Sequence, residues 1–153
     1  MNTRIKNLQG NLYNSDGAAG FFDGEGYVTI QYGYTKAKNG KRYHRHTLRI
    51  GINHVAPEPL YEMQRLFGGS IEKQKESSVI GNRHPRHRWV LNCNNAAEAL
   101  KRMMPYFKNK SGVAELGLEL QATMQDTKQQ VSEETLLYRA LLKEKITHLN
   151  SLD

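Results

Sequence analysis

The stretch Ala18-Ala19-Gly20-Phe21-Phe22-Asp23-Gly24-Glu25-Gly26 leads directly into the β-rich run Tyr27-Val28-Thr29-Ile30. Small residues, two aromatic residues and two carboxylates that alternate with glycines predict a short helix that ends in acids and continues as a strand. Asp23 and Glu25 would lie at the negative end of the helix dipole, which disfavours carboxylates unless a cation compensates. Because carboxylates offer oxygen ligands, the pattern indicates a site for a hard cation such as Mg²⁺.

Length and composition limit the class of protein. The 153 residues predict a single domain, residues 1–153, with enough apolar side chains for a core. There is no apolar run long enough to cross a membrane and no apolar leader at residues 1–10, so we expect an intracellular protein without a membrane partner. The single cysteine, Cys93, excludes an internal disulfide and is typical of a reducing compartment.

The positive charge is concentrated in two segments. The formal net charge is +7, which predicts a polyanionic partner. Residues 26–57 contain no acid but six lysines and arginines, and residues 70–92 also carry a positive excess. Since both segments have the composition of strands, we expect a basic sheet surface that binds phosphates. A merely solvated basic face is the alternative.

Alternating apolar residues predict four strands in two pairs. The first pair covers about 27–34 and 43–53, joined by a turn that contains Asn39-Gly40. The second covers about 70–77 and 86–93, with Trp89 buried. The inward side chains of the first pair are predicted to be Val28, Ile30, Tyr32, Tyr34, Leu48, Ile50 and Ile52.

Helical spacing and capping residues predict the remaining elements. The motif helix is expected at about 16–23, a second helix begins near Pro57, and a third runs from Asn94 or Asn95 to Phe107. Two C-terminal helices are expected at about 111–126 and 132–149. The order αββαββα, followed by these C-terminal helices, predicts an α+β fold with a four-stranded antiparallel sheet and helices on one face. The other sheet face should then be polar and basic.

The opening nonapeptide resembles the motif of the LAGLIDADG homing endonucleases, in the form Leu-Ala-Gly-Phe-hydrophobic-Asp-Gly-Glu-Gly. Seven of its nine positions fit closely, with Ala18 in place of the usual leucine and a bulkier Phe22. Residues 68–71 resemble the family's glycine turn before the third strand, and residues 105–110 resemble the segment that carries its active-site lysine. The resemblance covers about residues 14–125 and implies the same αββαββα fold.

A chain with one such motif, by this resemblance, acts as a homodimer on a near-palindromic double-stranded DNA target. The implied reaction is site-specific, Mg²⁺-dependent phosphodiester hydrolysis by an enzyme encoded in an intron, with Mn²⁺ or Ca²⁺ as other possible cations. The two motif helices would pack against each other across a two-fold axis. The residues expected at that dimer interface are Gly17, Ala18, Ala19, Gly20 and Phe21.

The resemblance also implies the catalytic residues. Glu25 corresponds to the metal-ligating acid and the Gly24 carbonyl to a backbone ligand, while Asp23 corresponds to a more structural acid near the helix end. Lys110 corresponds to the lysine that acts on the water network or on developing charge, with Lys108 as the alternative. For a polar site residue near the end of the second strand, the candidates are Asn53 and its neighbour His54.

DNA contacts are expected from the outward strand face and from the first hairpin loop. Arginine can bind guanine edges and glutamine can bind adenine, so the mixture of side chains suits readout in the major groove. The base-reading candidates are Thr29, Gln31, Thr35, Arg45, Thr47, Arg49, Glu72, Gln74, Arg86 and Arg88. The phosphate-binding candidates are Lys36, Lys38 and Lys41.

Other functions fit parts of the sequence. A protein of the same fold could bind nucleic acid without cleaving it, as an RNA maturase that helps an intron splice or as a DNA-binding regulator, or could be a basic interaction domain without catalysis. His44-x-His46 and His84-x-x-His87 have metal-like spacing, although DNA-facing histidines are the simpler interpretation. An intron-encoded enzyme would work in a chloroplast, a mitochondrion, or a prokaryotic or phage-infected cytoplasm.

Overall fold

The computed structural model describes residues 15–74, 86–124 and 131–152. These residues form five α-helices and four strands, which follow one another in the predicted order. The helices are α1 Ser15–Glu25, α2 Glu58–Phe67, α3 Cys93–Met103, α4 Ser111–Ala122 and α5 Glu133–Ser151. The strands are β1 Gly26–Lys36, β2 Arg42–His54, β3 Ser70–Lys73 and β4 His87–Asn92. Within these ranges, every helix is too short or too polar to traverse a lipid bilayer.

The strands form one antiparallel sheet in the order β1-β2-β4-β3. β1 pairs with β2 along the whole length of β1, from Gly26 opposite Ile52 to Lys36 opposite Arg42. β4 lies between β2 and β3, with Ile52 opposite Trp89 and Glu72 opposite Arg88. This confirms the predicted α+β fold with its four-stranded antiparallel sheet.

The helices cover one face of the sheet and enclose the core. Alternate strand residues such as Val28, Ile50 and Leu91 point into it and are almost fully buried. Trp89 is also buried, as predicted, and its indole N–H donates a hydrogen bond of 2.8 Å to the Gly68 carbonyl. The indole N–H of the buried ring therefore has a hydrogen-bond acceptor.

The C-terminal helix α5 packs on α4 and on the edge strand β1. Ser132 caps it as predicted, because its hydroxyl accepts a hydrogen bond from the Thr135 N–H. Its buried Arg139 donates to the Thr123 hydroxyl and carbonyl at 2.8 and 2.9 Å. Near its end, the Asn150 side chain donates to the Val28 carbonyl at 3.0 Å, which ties α5 to the edge of the sheet.

Several predicted boundaries were wrong, and two residues predicted to point inward are not buried. Helix α1 is longer than residues 16–23 and includes Glu25. Helix α3 stops at Met103 instead of Phe107, because Pro105 removes a backbone donor and a short 3₁₀ turn, Met104–Tyr106, follows. Tyr32 and Tyr34 lie on the core-facing side of β1 but are exposed, since β1 extends beyond the core. The predicted connection at residues 81, 82 and 85 falls outside the described residues.

Candidate active site and nucleic-acid interface

Glu25 is the last residue of α1, and β1 begins immediately after it. A side chain at Gly26 would lie 2.5 Å from the Phe22 ring, so glycine is required for the chain to turn there. Gly24 and Glu25 are both exposed, and the Glu25 side chain makes no hydrogen bond or ion pair with the part of the chain that the structure describes. The carboxylate is thus held at a fixed backbone position with its oxygens available to a ligand.

Asp23, two residues earlier, has the opposite environment. It is 7% exposed and accepts backbone N–H hydrogen bonds from Lys108, Asn109 and Lys110 at 2.9 to 3.2 Å. The Asn109 side-chain amide donates to it as well. Because its oxygens already accept these bonds, Asp23 joins the end of α1 to the start of α4, across more than 80 residues of sequence.

The pKa of Asp23 reflects this binding. Burial acts to raise it, but the backbone hydrogen bonds from residues 108–110 and the charge of Lys110 outweigh burial and lower the pKa below its usual value. The carboxylate therefore stays ionised, and its bonds fix the Lys110 backbone directly before α4. Lys110 is half-buried, whereas Lys108 is exposed.

Asn53 comes to the same end of the sheet by strand register. Gly26 pairs with Ile52, so the next β2 residue, Asn53, lies where α1 ends. Its side-chain oxygen accepts a hydrogen bond of 3.2 Å from Arg88 Nε. The alternative, His54, instead contacts the Phe21 ring edge-on and accepts from the Ala56 N–H. The fold thus brings the predicted residues Glu25, Asn53 and Lys110 to one end of the sheet.

The oxygen donors at this junction suit a hard divalent cation. Mg²⁺ prefers carboxylate, carbonyl and water oxygens, which Glu25 and the exposed Gly24 backbone can offer. Among the described residues, no three His, Cys, Asp or Glu side chains are grouped closely enough to hold a metal. Glu25 and the Gly24 carbonyl are therefore the candidate cation ligands that the described part of the chain presents at this junction.

The outward face of the sheet, opposite the helices, is polar and basic. The register places Thr29 opposite Arg49 and Gln31 opposite Thr47. Eight of the predicted base-reading residues lie within strands on this face: Thr29, Gln31, Thr35, Arg45, Thr47, Arg49, Glu72 and Arg88. Gln74 and Arg86 flank β3 and β4 and are joined by a backbone hydrogen bond. The predicted loop lysines Lys36, Lys38 and Lys41 are exposed at the hairpin end.

Two arginines on the outward face are oriented by asparagines. Arg49 Nε donates to the Asn92 side chain at 3.1 Å, and Arg88 Nε donates to Asn53. Neither arginine uses its Nη groups in a hydrogen bond to the described residues. Each guanidinium is therefore held in a defined direction with donors left over, the geometry needed for bidentate contacts to a base edge or a phosphate.

Tyr27 is a residue of this face that the sequence analysis did not select. Its ring lies over Gly51, where an added side chain would come within 2.5 Å of the Tyr27 hydroxyl. Burial raises the pKa of Tyr27 and Glu72 adds to the rise, while Arg88 and Arg49 oppose it. The sequence signal that could have predicted this contact is the position of Tyr27 opposite Gly51 on the paired strand.

The faces of α1 require a correction to the predicted dimer interface. Ala18 and Ala19 are fully buried, so they pack in the chain's own core and present no surface to a second copy. Gly20 and Gly24 are exposed, and an added side chain at either would meet nothing within 4 Å. Together with half-buried Gly17 and Phe21 they form the open face of α1, at the spacing of successive helical turns.

The comparisons with known proteins agree with this geometry. The family model described as LAGLIDADG endonuclease matches residues 18–115. This chain belongs to the LAGLIDADG endonuclease family, which confirms the resemblance found in its sequence. No curated protein matches the chain.

Solved structures of homing endonucleases share the fold. I-CvuI in complex with the I-CreI target superposes with a TM-score of 0.70 at 19% identity, covering 88% of this chain and 80% of that one. The archaeal intron-encoded I-Vdi141I, complexed with DNA, gives 0.70 at 14% identity, with 88% and 82% covered. I-TnaI gives 0.62 at 16% identity, with 92% and 97% covered. At these identities the superpositions establish the fold.

Proposed function

We propose that this chain is a site-specific DNA endonuclease that acts as a homodimer and hydrolyses one phosphodiester bond in each strand with Mg²⁺. The observation that carries the proposal is the convergence at the end of the sheet. Asp23 binds the backbone before α4, and the β1–β2 register brings Asn53 to the end of α1. Glu25, Asn53 and Lys110 therefore adjoin a basic sheet face that suits duplex DNA.

In this proposal, each residue has a separate task. The Glu25 carboxylate and the Gly24 carbonyl hold a divalent cation, Mg²⁺ or in its place Mn²⁺ or Ca²⁺. When bound, such a cation lowers the pKa of a water nucleophile and neutralises charge on the phosphate. The Lys110 ammonium stabilises the negative charge that develops during attack, and Asn53 uses its amide N–H groups to orient water or a phosphate oxygen. Asp23 holds Lys110 in position without touching the reacting atoms.

Two copies are needed because, in the part of the chain that the structure describes, Glu25 is the one available carboxylate at the junction. Three of the four residues on the open face of α1 are glycines at helical spacing, so a second α1 can pack closely against it. Packing about a two-fold axis would place two Glu25 residues near the axis, one for each DNA strand. The target would then be near-palindromic, with half-sites about one helical turn apart.

The outward face would read the DNA. Arg49 and Arg88, already oriented by asparagines, would bind base edges in the major groove, with the threonines and glutamines of the same face completing the readout. Lys36, Lys38 and Lys41 would bind phosphates, which position the protein without reading sequence. We propose further that the gene lies in a mobile intron, so that the joined exon sequence is the target.

Cleavage of a DNA library that includes the joined exon sequence, in Mg²⁺, tests the proposal. We expect cutting at one site, and Glu25→Gln should reduce cutting at least about 100-fold because it removes the ligand charge. Binding of the same DNA in Ca²⁺ should persist in the variant. Glu98→Gln, an exposed change on α3, is the matched control and should cut normally.

Two results would contradict the nuclease. If the wild-type protein binds DNA or intron RNA tightly but never cuts, the chain is a non-cleaving binder of the same fold, either a maturase or a regulator. If Glu25→Gln cuts as fast as the wild-type protein, the catalytic site lies elsewhere.

A further inference from the structure

The distal half of the β1–β2 hairpin carries an aromatic ladder, formed by Tyr32, Tyr34, His44 and His46. The rings lie on the core-facing side of the strands, beyond the point where the core ends. Successive ring centroids are separated by 6.4 Å from Tyr34 to His44, 5.8 Å from His44 to Tyr32 and 4.9 Å from Tyr32 to His46. The Tyr32 hydroxyl and His44 Nδ1 share a hydrogen bond, so neighbouring rungs are fixed in place.

The two tyrosines of the ladder are unusually exposed for packed aromatic rings. Tyr32 is 46% exposed and Tyr34 is 54% exposed, whereas Val28 and Ile30 on the same strand face are buried. The Arg42 guanidinium lies 4.9 Å from the centre of the Tyr34 ring. The rings therefore offer flat apolar surface next to a cation, an arrangement on which another planar group can stack.

A cavity of about 390 Å³ separates the ladder from the first half of α5. Its size falls within the range of pockets for small ligands. Its wall is mainly apolar and consists of Tyr32, His44, His46, Leu136, Leu137, Ala140, Lys143 and Glu144.

His46 is the most enclosed residue of this wall. It is 6% exposed, and its Nδ1 has no hydrogen-bond partner among the described residues. Burial lowers the pKa of His46, and the charges of Arg139, His44 and Lys143 lower it further, which favours the neutral ring. A buried imidazole nitrogen without a hydrogen-bond partner costs free energy. The wall therefore contains a polar atom that a ligand could hydrogen-bond, beside its apolar surface.

The surrounding charge favours an anionic ligand. Residues 26–57 contain no acid, Lys36 and Arg42 end the paired strands beside the ladder, and Lys143 lies in the cavity wall. Glu144 is the single acid among the lining residues. A ligand that combines planar uncharged rings with a repeating negative backbone matches both properties, and single-stranded nucleic acid has this chemistry.

We propose that the aromatic ladder and the cavity facing α5 bind unpaired nucleobases of a single-stranded nucleic acid. The bases stack on Tyr32 and Tyr34, and Arg42 and Lys143 neutralise the adjacent phosphates. This surface lies on the side of the hairpin opposite the outward face. The single strand therefore does not compete with duplex DNA for the same side chains, and the site does not depend on the proposed cleavage activity.

Fluorescence anisotropy with labelled ten-nucleotide RNA and DNA strands that cannot self-pair tests this site. Stacking of one base on an aromatic ring contributes about 1–3 kcal/mol, so Tyr32→Leu with Tyr34→Leu should weaken binding at least about 10-fold. Tyr32→Phe with Tyr34→Phe keeps both rings and should restore most of the affinity. Tyr43→Leu is the matched control, since Tyr43 is 51% exposed on the opposite face of the hairpin and should leave single-strand binding unchanged.

The outcomes separate the possibilities. Tighter binding of RNA than of DNA would show that the 2′-hydroxyl contributes, and equal binding would limit recognition to base and phosphate; both support the site. The proposal is overturned if the wild-type protein gives no saturable binding, or if a folded leucine double variant binds like the wild-type protein or like Tyr43→Leu. Cleavage of duplex DNA by the leucine variant should stay normal, so failure here is distinguishable from failure of the nuclease proposal.

Discussion

The two ends of the β1–β2 hairpin are built differently although one hydrogen-bonded register joins them. At the junction end, where α1 meets β1, the core-facing Val28 and Ile50 are fully buried, and buried Asp23 is hydrogen-bonded to residues 108–110. At the tip, Tyr34 and the loop lysines are exposed. The junction can hold reactive groups rigidly, whereas the tip can reach a large ligand. Substitutions at the junction should therefore change stability and rate, and those at the tip should change affinity.

The largest effect is expected at Asp23. Asp23→Asn keeps one oxygen but replaces the other with an NH₂ group that faces two of the three backbone donors, so these part-buried N–H groups lose hydrogen bonds. We expect the free energy of unfolding to fall by about 3 kcal/mol, measured by chemical denaturation. The cleavage rate should also fall while DNA binding persists, because the Lys110 backbone is no longer fixed. Asp16→Asn, in the half-buried first turn of the same helix, keeps an oxygen that can accept from the Gly17 N–H and should cost less than about 1 kcal/mol.

The acid dependence of stability sharpens this result. The pKa of Asp23 is lowered from 3.8 in the folded protein, so its contribution is fully present above about pH 4. It is lost as the pH falls through the lowered value, since protonation removes an acceptor. The difference in stability between wild-type protein and Asp23→Asn should therefore shrink below about pH 4. A difference that stays constant down to pH 2 would show that the charge of Asp23 is not involved.

A change at Gly20 should separate folding from assembly. An added side chain meets nothing within 4 Å in the single chain, and glutamine is a better helix former than glycine by up to about 1 kcal/mol. Gly20→Gln should thus fold as a monomer but fail to dimerise and to cut both strands, as measured by light scattering and cleavage. Gly112→Gln, at an exposed helical glycine of α4, should remain dimeric. A dimeric Gly20→Gln would exclude the open face of α1 as the interface.

The fold was predictable because its signals are local. Two-residue alternation, the Asn39-Gly40 turn and the Ser132 cap each depend on neighbours in sequence, and they gave the element order and the buried Trp89. How far the core extends along the strands depends on tertiary packing, so neighbouring residues in the sequence do not predict it. Alternation placed Tyr34 on the inward face, and the register agrees, but β1 extends beyond the core at this point, so the ring is exposed.

The sequence predicted which residues lie near the candidate site better than it predicted the contacts that they make. The motif identified Asp23 and Glu25 as a pair, yet the hydrogen bonds that separate their roles come from residues 108–110, more than 80 positions away. Small residues in α1 indicated close packing without distinguishing its two faces, which is why Ala18 was assigned to the wrong side. Hydrogen-bond partners and the buried face of a helix depend on tertiary packing, so the periodicity of one segment does not predict them.

The smallest effect on stability and the clearest effect on affinity are expected at the hairpin tip. Lys36, Lys38 and Lys41 are exposed around a turn closed by backbone hydrogen bonds and by the Asn39 side chain, which accepts from the Lys41 N–H. Replacing all three with glutamine keeps these bonds, so the free energy of unfolding should change by no more than about 0.5 kcal/mol.

Duplex affinity should become less dependent on salt in the triple variant. Each phosphate contact contributes about 0.9 to the slope of log K against log salt, so the slope should decrease by about 3 when binding is titrated between 50 and 200 mM salt. Lys101→Gln with Lys145→Gln, at exposed sites on α3 and α5, should leave the slope unchanged. If the triple variant keeps the wild-type slope, the three lysines at the tip do not contact phosphates. The two ends of the hairpin would then differ in the solvent exposure of their side chains and not in DNA binding.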